Sequence, residues 1–404
     1  MADKIAEVLS PAGDMERLTM ALTYGADAVY LAGQKFGMRA AAGTFGPGEM
    51  VKAVQMSHEK GVKVYVTCNS VLRNEDVLEM PLFLEQLESA GAAAVIVTDI
   101  GLIPMAKKYA PSLQLHISTQ AGIANFETAR AFYDMGASRV ILARELSLDE
   151  IAELRAKTPK DLEIETFVHG SMCVSFSGRC LLSNYLTGRD ANQGACAQPC
   201  RWKYHLMEEQ RSGEFLEISE DGGTHIMNSK DMCMIDYVPE MIKAGISSLK
   251  IEGRMKSAYY AAIVTNAYRH AVDAAIRGEP LDPKWRNEVN KVSHRAYSTG
   301  FFFDKEGPGQ YYENALYFSD CDVMAQVESC DEEGNAILSQ RNKFYKGDTL
   351  ELATPHQPPV SFTVDYMENG AGEEIESTPH PTMEIRMKLP HWAPKYSFLR
   401  KDKK

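Results

Sequence analysis

No apolar run in this 404-residue chain is long enough to cross a bilayer, so no membrane partner is expected. The opening residues, MADKIAEVLSPAGD, lack the basic and then apolar stretches of a secretory signal. A cytoplasmic location follows as an expectation, and with it reduced thiols rather than disulfides. Positive charge is also scarce. The 43 Lys and Arg against 55 Asp and Glu leave a net charge of −12, which argues against a broad nucleic-acid-binding face but leaves room for a local basic patch. Several catalytic fingerprints are missing as well. Without a G-x-G-x-x-G after a strand, dinucleotide binding by that route has no support. Without H-E-x-x-H or G-x-S-x-G, neither a zinc protease nor a serine hydrolase elbow is indicated.

What the chain does have is a dense cysteine stretch from Glu165 to Trp202, ETFVHGSMCVSFSGRCLLSNYLTGRDANQGACAQPCRW. It holds four of the eight cysteines, Cys173, Cys180, Cys196 and Cys200, spaced C-x6-C-x15-C-x3-C. Gly170, Gly178, Gly188, Gly194 and Pro199 break the stretch into loops, which can bend four sulfurs toward one point. A four-thiolate set suits iron–sulfur or zinc and not magnesium or calcium. The spacing is neither that of a zinc ribbon nor that of a bacterial ferredoxin. A non-standard 4Fe–4S site is read first, mostly on the family resemblance that the same stretch carries, and structural zinc second, with buried core cysteines or a redox thiol as the remaining alternatives. Cys68, Cys321 and Cys330 read as ordinary buried thiols, and Cys233 as a reserve ligand.

Around this stretch a β-then-α rhythm repeats. EVLSPAG, DAVYLAG, KVYVTCN, AAVIVTD, LQLHISTQ, RVILARE and LEIETFVHG are each followed by a helical pattern or, in the last case, by the cysteine loops. Each run is nearly continuous in apolar residues, as expected for parallel strands buried on both faces. Seven such units by Gly170 predict an α/β fold, a (β/α)8 TIM-like barrel with an inserted cysteine-rich segment at 170–224. THIMNS (Thr224 to Ser229) and SSLKIEG (Ser247 to Gly253) compete for the closing strand; SSLKIEG is favoured because the helical pattern Ala258 to Ile276 follows it. The barrel is expected over 1–278, a connector over 279–320, and a small C-terminal β-barrel domain of six short strands over 321–404.

In a barrel, polar residues just after each strand share the rim where such folds place their sites. This puts Asn69, Asp99, Gln120, Arg144, Glu145, His169, Glu252 and Arg254 on one rim, with Arg39 in the loop after the second strand, facing the cysteine loops across the mouth. Each of these residues could equally serve structure alone; Glu252 and Arg254, for example, could simply pair.

The cysteine stretch resembles the collagenase-like peptidase family U32. The residues that carry the likeness are Glu165, Phe167, Gly170-Ser171, Cys173, Gly178, Cys180 and Ser183, together with LSPAGDMERLTMALTYGADAVYLAG, NQGACAQPCRW, IMNSKD and SLKIEGRMKS. The likeness extends along nearly the whole chain. Within the family it is greatest to the branch that makes 5-hydroxyuridine at the tRNA wobble position, and this implies several expectations. Cys173, Cys180, Cys196 and Cys200 would hold a 4Fe–4S cluster, without Cys233. Prephenate would be a co-substrate, and a rim cation such as Arg39, Arg144 or Arg254 a sensible clamp for its carboxylates. The partner would be the tRNA anticodon loop, whose bases are already single-stranded, with Tyr185 and Trp202 as stacking candidates. Sister branches imply hydroxylation of ribosomal RNA or of quinone precursors, and related proteins working in pairs imply a homodimer or a heterodimer with a family paralogue. The alternatives are a peptidase, in which Cys173 would be a nucleophile near His169, and a non-catalytic RNA-binding subunit.

Overall fold

The computed structural model describes residues 6–38, 44–204, 206–207, 215–216, 228–303, 309 and 317–403. Arg39 and residues 224–227 of THIMNS lie outside the described residues.

Seven parallel strands follow the rhythm of the sequence: β1 (Glu7–Pro11), β2 (Ala28–Leu31), β3 (Lys63–Cys68), β4 (Ala94–Val97), β5 (Gln114–Ile117), β6 (Arg139–Ile141) and β7 (Glu163–Ser171). The strand Ser248–Ile251 pairs in parallel with β1 on one side and β7 on the other, and so closes an eight-stranded barrel. SSLKIEG, not THIMNS, is the eighth strand. Helices α1 (Met15–Thr23), α2 (Pro47–Glu59), α3 (Asn74–Ala90), α4 (Leu102–Tyr109), α5 (Phe126–Asp134) and α6 (Leu148–Ala156) return between strands. Their starts are written locally. Asp14, Asn125 and Ser147 accept hydrogen bonds from the first-turn amides of α1, α5 and α6, satisfying donors that the helix itself leaves unpaired. The 20-residue helix Ala258–Arg277, capped by Ser257, packs on α1 and completes the outer ring.

The strands are buried on both faces, but the two faces differ. Outward side chains such as Val8, Val64, Val95, Val140, Ile164 and Leu249 join the helices in one large apolar core. The inward apolar set is small: Leu9, Ala28, Tyr30, Tyr65, Ala94, Ile96, Ile141 and Phe167. Beside it lies a buried ionic network. Arg139, almost fully buried, donates to Glu7 (2.8 Å), Glu163 (2.8 Å) and Glu165 (2.9 Å), and Lys250 donates to the other oxygen of Glu165 (2.7 Å). Tyr65 and Ser248 donate to Glu7 at 2.8 and 2.9 Å. Burial pushes the Glu7 carboxyl up, but the adjacent Arg139 outweighs it and holds the group below the usual carboxylate range. The expectation that both strand faces are apolar is thus corrected on the inner face.

The last strand residues of β7 pair antiparallel with Asp231–Cys233, which pairs in turn with Tyr297–Ser298, so the barrel carries a short extension where the cysteine loops leave. Residues 321–403 form a seven-stranded antiparallel sheet around a second core that includes Leu338, Phe344, Leu350, Leu352, Ile385 and Leu399. The six expected strands are joined by Glu368–Asn369 as a seventh. Its edge strands, Val360–Thr363 and Glu368–Asn369, close no hydrogen-bonded ring among the described residues. The sheet docks on the barrel through Arg400, which is fully buried and donates to Glu288 (2.6 and 2.8 Å) and to Glu351 (2.8 Å).

Candidate functional site at the barrel mouth

Tyr30, Thr67, Ser118, Ile141, Phe167 and Lys250 are the upper inward layer of the barrel, and they floor a cavity at its C-terminal mouth. Asn69, Gln120, Arg144, Glu252 and Arg254 line the same cavity. Five of the expected rim residues therefore meet there. Arg254 is 4% exposed and donates to Thr67 Oγ1 at 3.2 Å and to the Met38 carbonyl. The Arg144 guanidinium lies 3.9 Å over the Phe167 ring and donates to the Ser171 carbonyl at 3.0 Å. Asn69 accepts from the Met38 amide at 3.1 Å. Three cations, Lys250, Arg144 and Arg254, thus surround this mouth, with Glu252 as the carboxylate that lines it. Burial pulls the Lys250 ammonium down from its ordinary value, and Glu165 opposes that shift. Glu165 is how a lysine is kept inside a barrel.

The remaining expected rim residues do other work. Glu145 accepts from the Ser177 amide (2.6 Å) and hydroxyl (2.8 Å), anchoring the cysteine loop. Asp99 accepts from the Gly101 amide at 2.8 Å at the entrance to α4. His169 is buried among the rings of Tyr260, Tyr268 and Tyr297, with the Tyr268 and Tyr297 hydroxyls each 3.4 Å from a ring nitrogen. It lines neither the mouth nor the thiol cavity. Burial lowers its pKa to about 3, so it is neutral. The rule that a polar residue after a strand reaches the rim fails at His169, because the pairing of β7 with Ser248–Ile251 slips by one residue between Phe167 and His169 and breaks the alternation that turns Phe167 inward. Lys250 was missed as a site residue because it sits within a strand. The signal for it is the alternation in SLKI, which turns Ser248 and Lys250 to the same face.

Beside the mouth, Cys173, Cys180, Cys196 and Cys200 all line a second, smaller cavity of about 60 Å3. The loops that carry them are tied by polar side chains. Ser183, fully buried, donates to the Arg189 carbonyl (2.8 Å) and accepts from the Ala197 amide (3.0 Å). Asn192 holds Cys180 through both of its backbone groups (3.3 and 3.1 Å). Arg201 donates to the carbonyls of Met172 (2.8 Å) and Ser229 (3.0 Å) and to Asn228 (2.6 Å). Three of the sulfurs accept an amide from two residues on: Ser175 to Cys173 (3.4 Å), Leu182 to Cys180 (3.3 Å) and Gln198 to Cys196 (3.3 Å). These amides are part of what holds the loops around the thiol cavity. Burial pushes the Cys200 thiol up, and the Arg201 charge opposes it.

Among the described residues, no group of three or more His, Cys, Asp or Glu side chains stands in a geometry that holds a metal ion. The four sulfurs share a cavity without being drawn around one point. As a donor set they fit a soft metal or an iron–sulfur cluster. Cys233 lies opposite His169 in the strand extension, outside the thiol cavity, and burial raises its pKa to about 11. Cys68 and Cys321 are buried, and Cys330 is partly so. Met38, Gln120 and Arg144 line both cavities, so the thiol pocket and the cationic mouth share a wall.

A parallel barrel that combines a four-cysteine collar with a cationic mouth and an appended β domain defines a distinctive class. The chain belongs to peptidase family U32: residues 13–311 match that family, and residues 319–400 match its C-terminal domain. It is 36% identical to tRNA hydroxylation protein P1 of Bacillus subtilis over 99% of this chain and 96% of the relative. It is also 36% identical to tRNA hydroxylation protein P of Escherichia coli, over 95% and 94%. A collagenase of Porphyromonas gingivalis is 33% identical over 73% of each chain.

Proposed function

We propose that this protein is a tRNA-modifying enzyme that hydroxylates C5 of the wobble uridine, with a 4Fe–4S cluster on Cys173, Cys180, Cys196 and Cys200 and prephenate as co-substrate. The near full-length likeness to two tRNA hydroxylation proteins supports the substrate class. The observation that carries the chemistry is the shared wall. A ligand in the cationic mouth lies against Met38, Gln120 and Arg144, and those residues also face the four thiols.

In this reading a dicarboxylate is held by Arg144, Arg254 and Lys250, because guanidinium forks and a fixed ammonium match carboxylates. The target base, already unpaired in its loop, enters beside it, and Asn69 and Gln120 supply hydrogen-bonding groups for a base edge. The amides of Ser175, Leu182 and Gln198 donate to three of the ligand sulfurs, and the charge of Arg201 acts on the fourth, Cys200. The cluster, when bound, supplies one-electron chemistry at that wall. Ile141, Phe167 and Tyr30 are the apolar part of a floor that also carries Thr67, Ser118 and Lys250. A single zinc on the same thiols is the alternative, and it would make the loops a structural knot.

The family name and the collagenase relative raise a peptidase reading. A cysteine protease needs an imidazole beside its thiol. The buried, neutral His169 faces tyrosine hydroxyls instead. Two measurements test the proposal. Anaerobic purification should give about four irons and four sulfides per chain with a broad absorption band near ~400 nm, lost in Cys173→Ala, Cys180→Ala. One zinc and no colour would overturn the cluster. Deletion of the gene should remove wobble 5-hydroxyuridine and its derivatives from tRNA digests. A change confined to ribosomal RNA or quinone would overturn the substrate. An unmodified purified chain that binds RNA but never turns over would leave a binding subunit.

A further inference from the structure

Residues 172–204 carry four cations, Arg179, Arg189, Arg201 and Lys203, against one carboxylate, Asp190, in a chain whose net charge is −12. Asp190 is engaged locally, accepting the Asn192 amide at 2.8 Å. Arg179, Arg189 and Lys203 are exposed. Between them stand large side chains left open to solvent: Phe176 is 51% exposed, Tyr185 78% and Trp202 43%, with Leu181 and Leu186 beside them. Most apolar side chains of this size are in one of the cores. The backbone beneath them is tied down by Ser183, Asn192, Arg201 and Glu145, so the rings project from a fixed frame.

The geometry points to this collar as a docking surface for a single-stranded RNA loop, with Phe176, Tyr185 and Trp202 stacking the bases on either side of the one that enters the mouth. The inference rests on the proposed substrate class and adds where that substrate is gripped. Two features choose RNA over a protein partner. The exposed charge that residues 172–204 carry is of one sign, against the overall charge of the molecule, and along the chain it is interleaved with exposed aromatic side chains. Every base has a face to stack, so the collar reads no sequence, and selection falls to the mouth. Because the collar also lines the thiol cavity, the RNA would cover it on docking and exclude water from the chemistry.

The test uses the anaerobically purified full chain and a fluorescein-labelled RNA hairpin, with the same stem as a blunt duplex for control. Fluorescence anisotropy should show the hairpin bound more tightly than the duplex. Tyr185→Ala and Trp202→Ala should each weaken hairpin binding by about 5- to 150-fold, the range of one lost base stack. Arg179→Glu with Lys203→Glu should weaken it further and flatten its salt dependence. Iron content and melting temperature should stay at the parent values in Tyr185→Ala and in the Arg179, Lys203 variant, since all three side chains are exposed. Unchanged affinity in all variants would overturn the inference. A dimer in the parent that dissociates in Tyr185→Ala would also overturn it and make the patch a protein interface. The two readings fail separately. Loss of hairpin binding in the variants with normal wobble uridine in the deletion strain would sink the hydroxylation reading and leave the collar. Lost hydroxyuridine in the deletion strain with full binding by collar variants would do the reverse.

Discussion

Lys250 and Arg139 share one carboxylate, Glu165, in the middle of the barrel. Charges inside a protein are tolerable only while paired, and removing Glu165 leaves Lys250 desolvated without its anion while Arg139 keeps Glu7 and Glu163. Glu165→Gln is therefore expected to lower stability by about 3–5 kcal/mol, read as a shift in the urea midpoint. It should also weaken dicarboxylate binding, since Lys250 loses the anion that fixes it. A near-neutral change would mean that the network is slack. His169 makes a second residue-scale prediction. Its ring is held neutral, with a pKa near 3 when folded, against an ordinary value of 6.5. Between those values the unfolded chain binds the extra proton. The contribution of this residue is fully present above about pH 6.5 and is lost as pH falls toward 3. In His169→Phe the decline of the urea midpoint from pH 6.5 to pH 4 should be shallower. The Tyr268 and Tyr297 hydroxyls keep their bonds to the carbonyls of Val168 (2.8 Å) and Val289 (2.7 Å) in that variant. An unaltered slope would assign the acid limb elsewhere, beginning with the buried His116, whose pKa burial also lowers.

Among the elements, β7 decides most. It passes the barrel's rim, pairs with Ser248–Ile251 on one side and with Asp231–Cys233 beyond it, and then releases the cysteine loops. Gly170 makes this possible. Its φ is +100°, and a Cβ there would stand 2.5 Å from the Glu252 carbonyl oxygen. Gly170→Ala is expected to cost at least about 1–3 kcal/mol in backbone strain alone. It should displace Glu252 and Ser171 together and, on the proposed cluster, lower the iron content of the purified protein. Full metal loading at parental stability would show that the loops tolerate a shifted strand end. The strands and helices of the barrel were legible because continuous apolar runs alternate along the chain with helical patterns, three of them opened by a capping Asp, Asn or Ser. The cysteine loops were legible only as composition. Their spacing places four thiols in one stretch, but the ties that turn them to one cavity come from Glu145, Ser183, Asn192 and Arg201, and no local pattern marks those as anchors.

At the scale of the molecule, the C-terminal sheet and the barrel meet over a buried ion cluster. Arg400 reaches Glu288 on the connector and Glu351 on its own sheet, with the Tyr259 hydroxyl at 3.1 Å. Arg400→Ala leaves Glu288 buried without its cation and should destabilise by about 3–5 kcal/mol. The pair Arg400→Met, Glu288→Leu should recover most of that loss in thermal melts, since apolar groups of similar size replace such pairs at little cost. A double variant as unstable as the single one would show that the cluster orients the domains rather than merely filling the seam. The amino-acid sequence by itself determined the barrel, its closing strand, the appended β domain and the grouping of four cysteines. These are properties of period and spacing, which short-range sterics and burial translate directly into elements. Only the tertiary structure decided that Lys250 floors the mouth, that His169 is buried away from it, and that the thiol cavity and the mouth share Met38, Gln120 and Arg144. Each of those outcomes depends on how a strand pairs with its neighbour and on which distant side chain meets it, and barrel closure sets both.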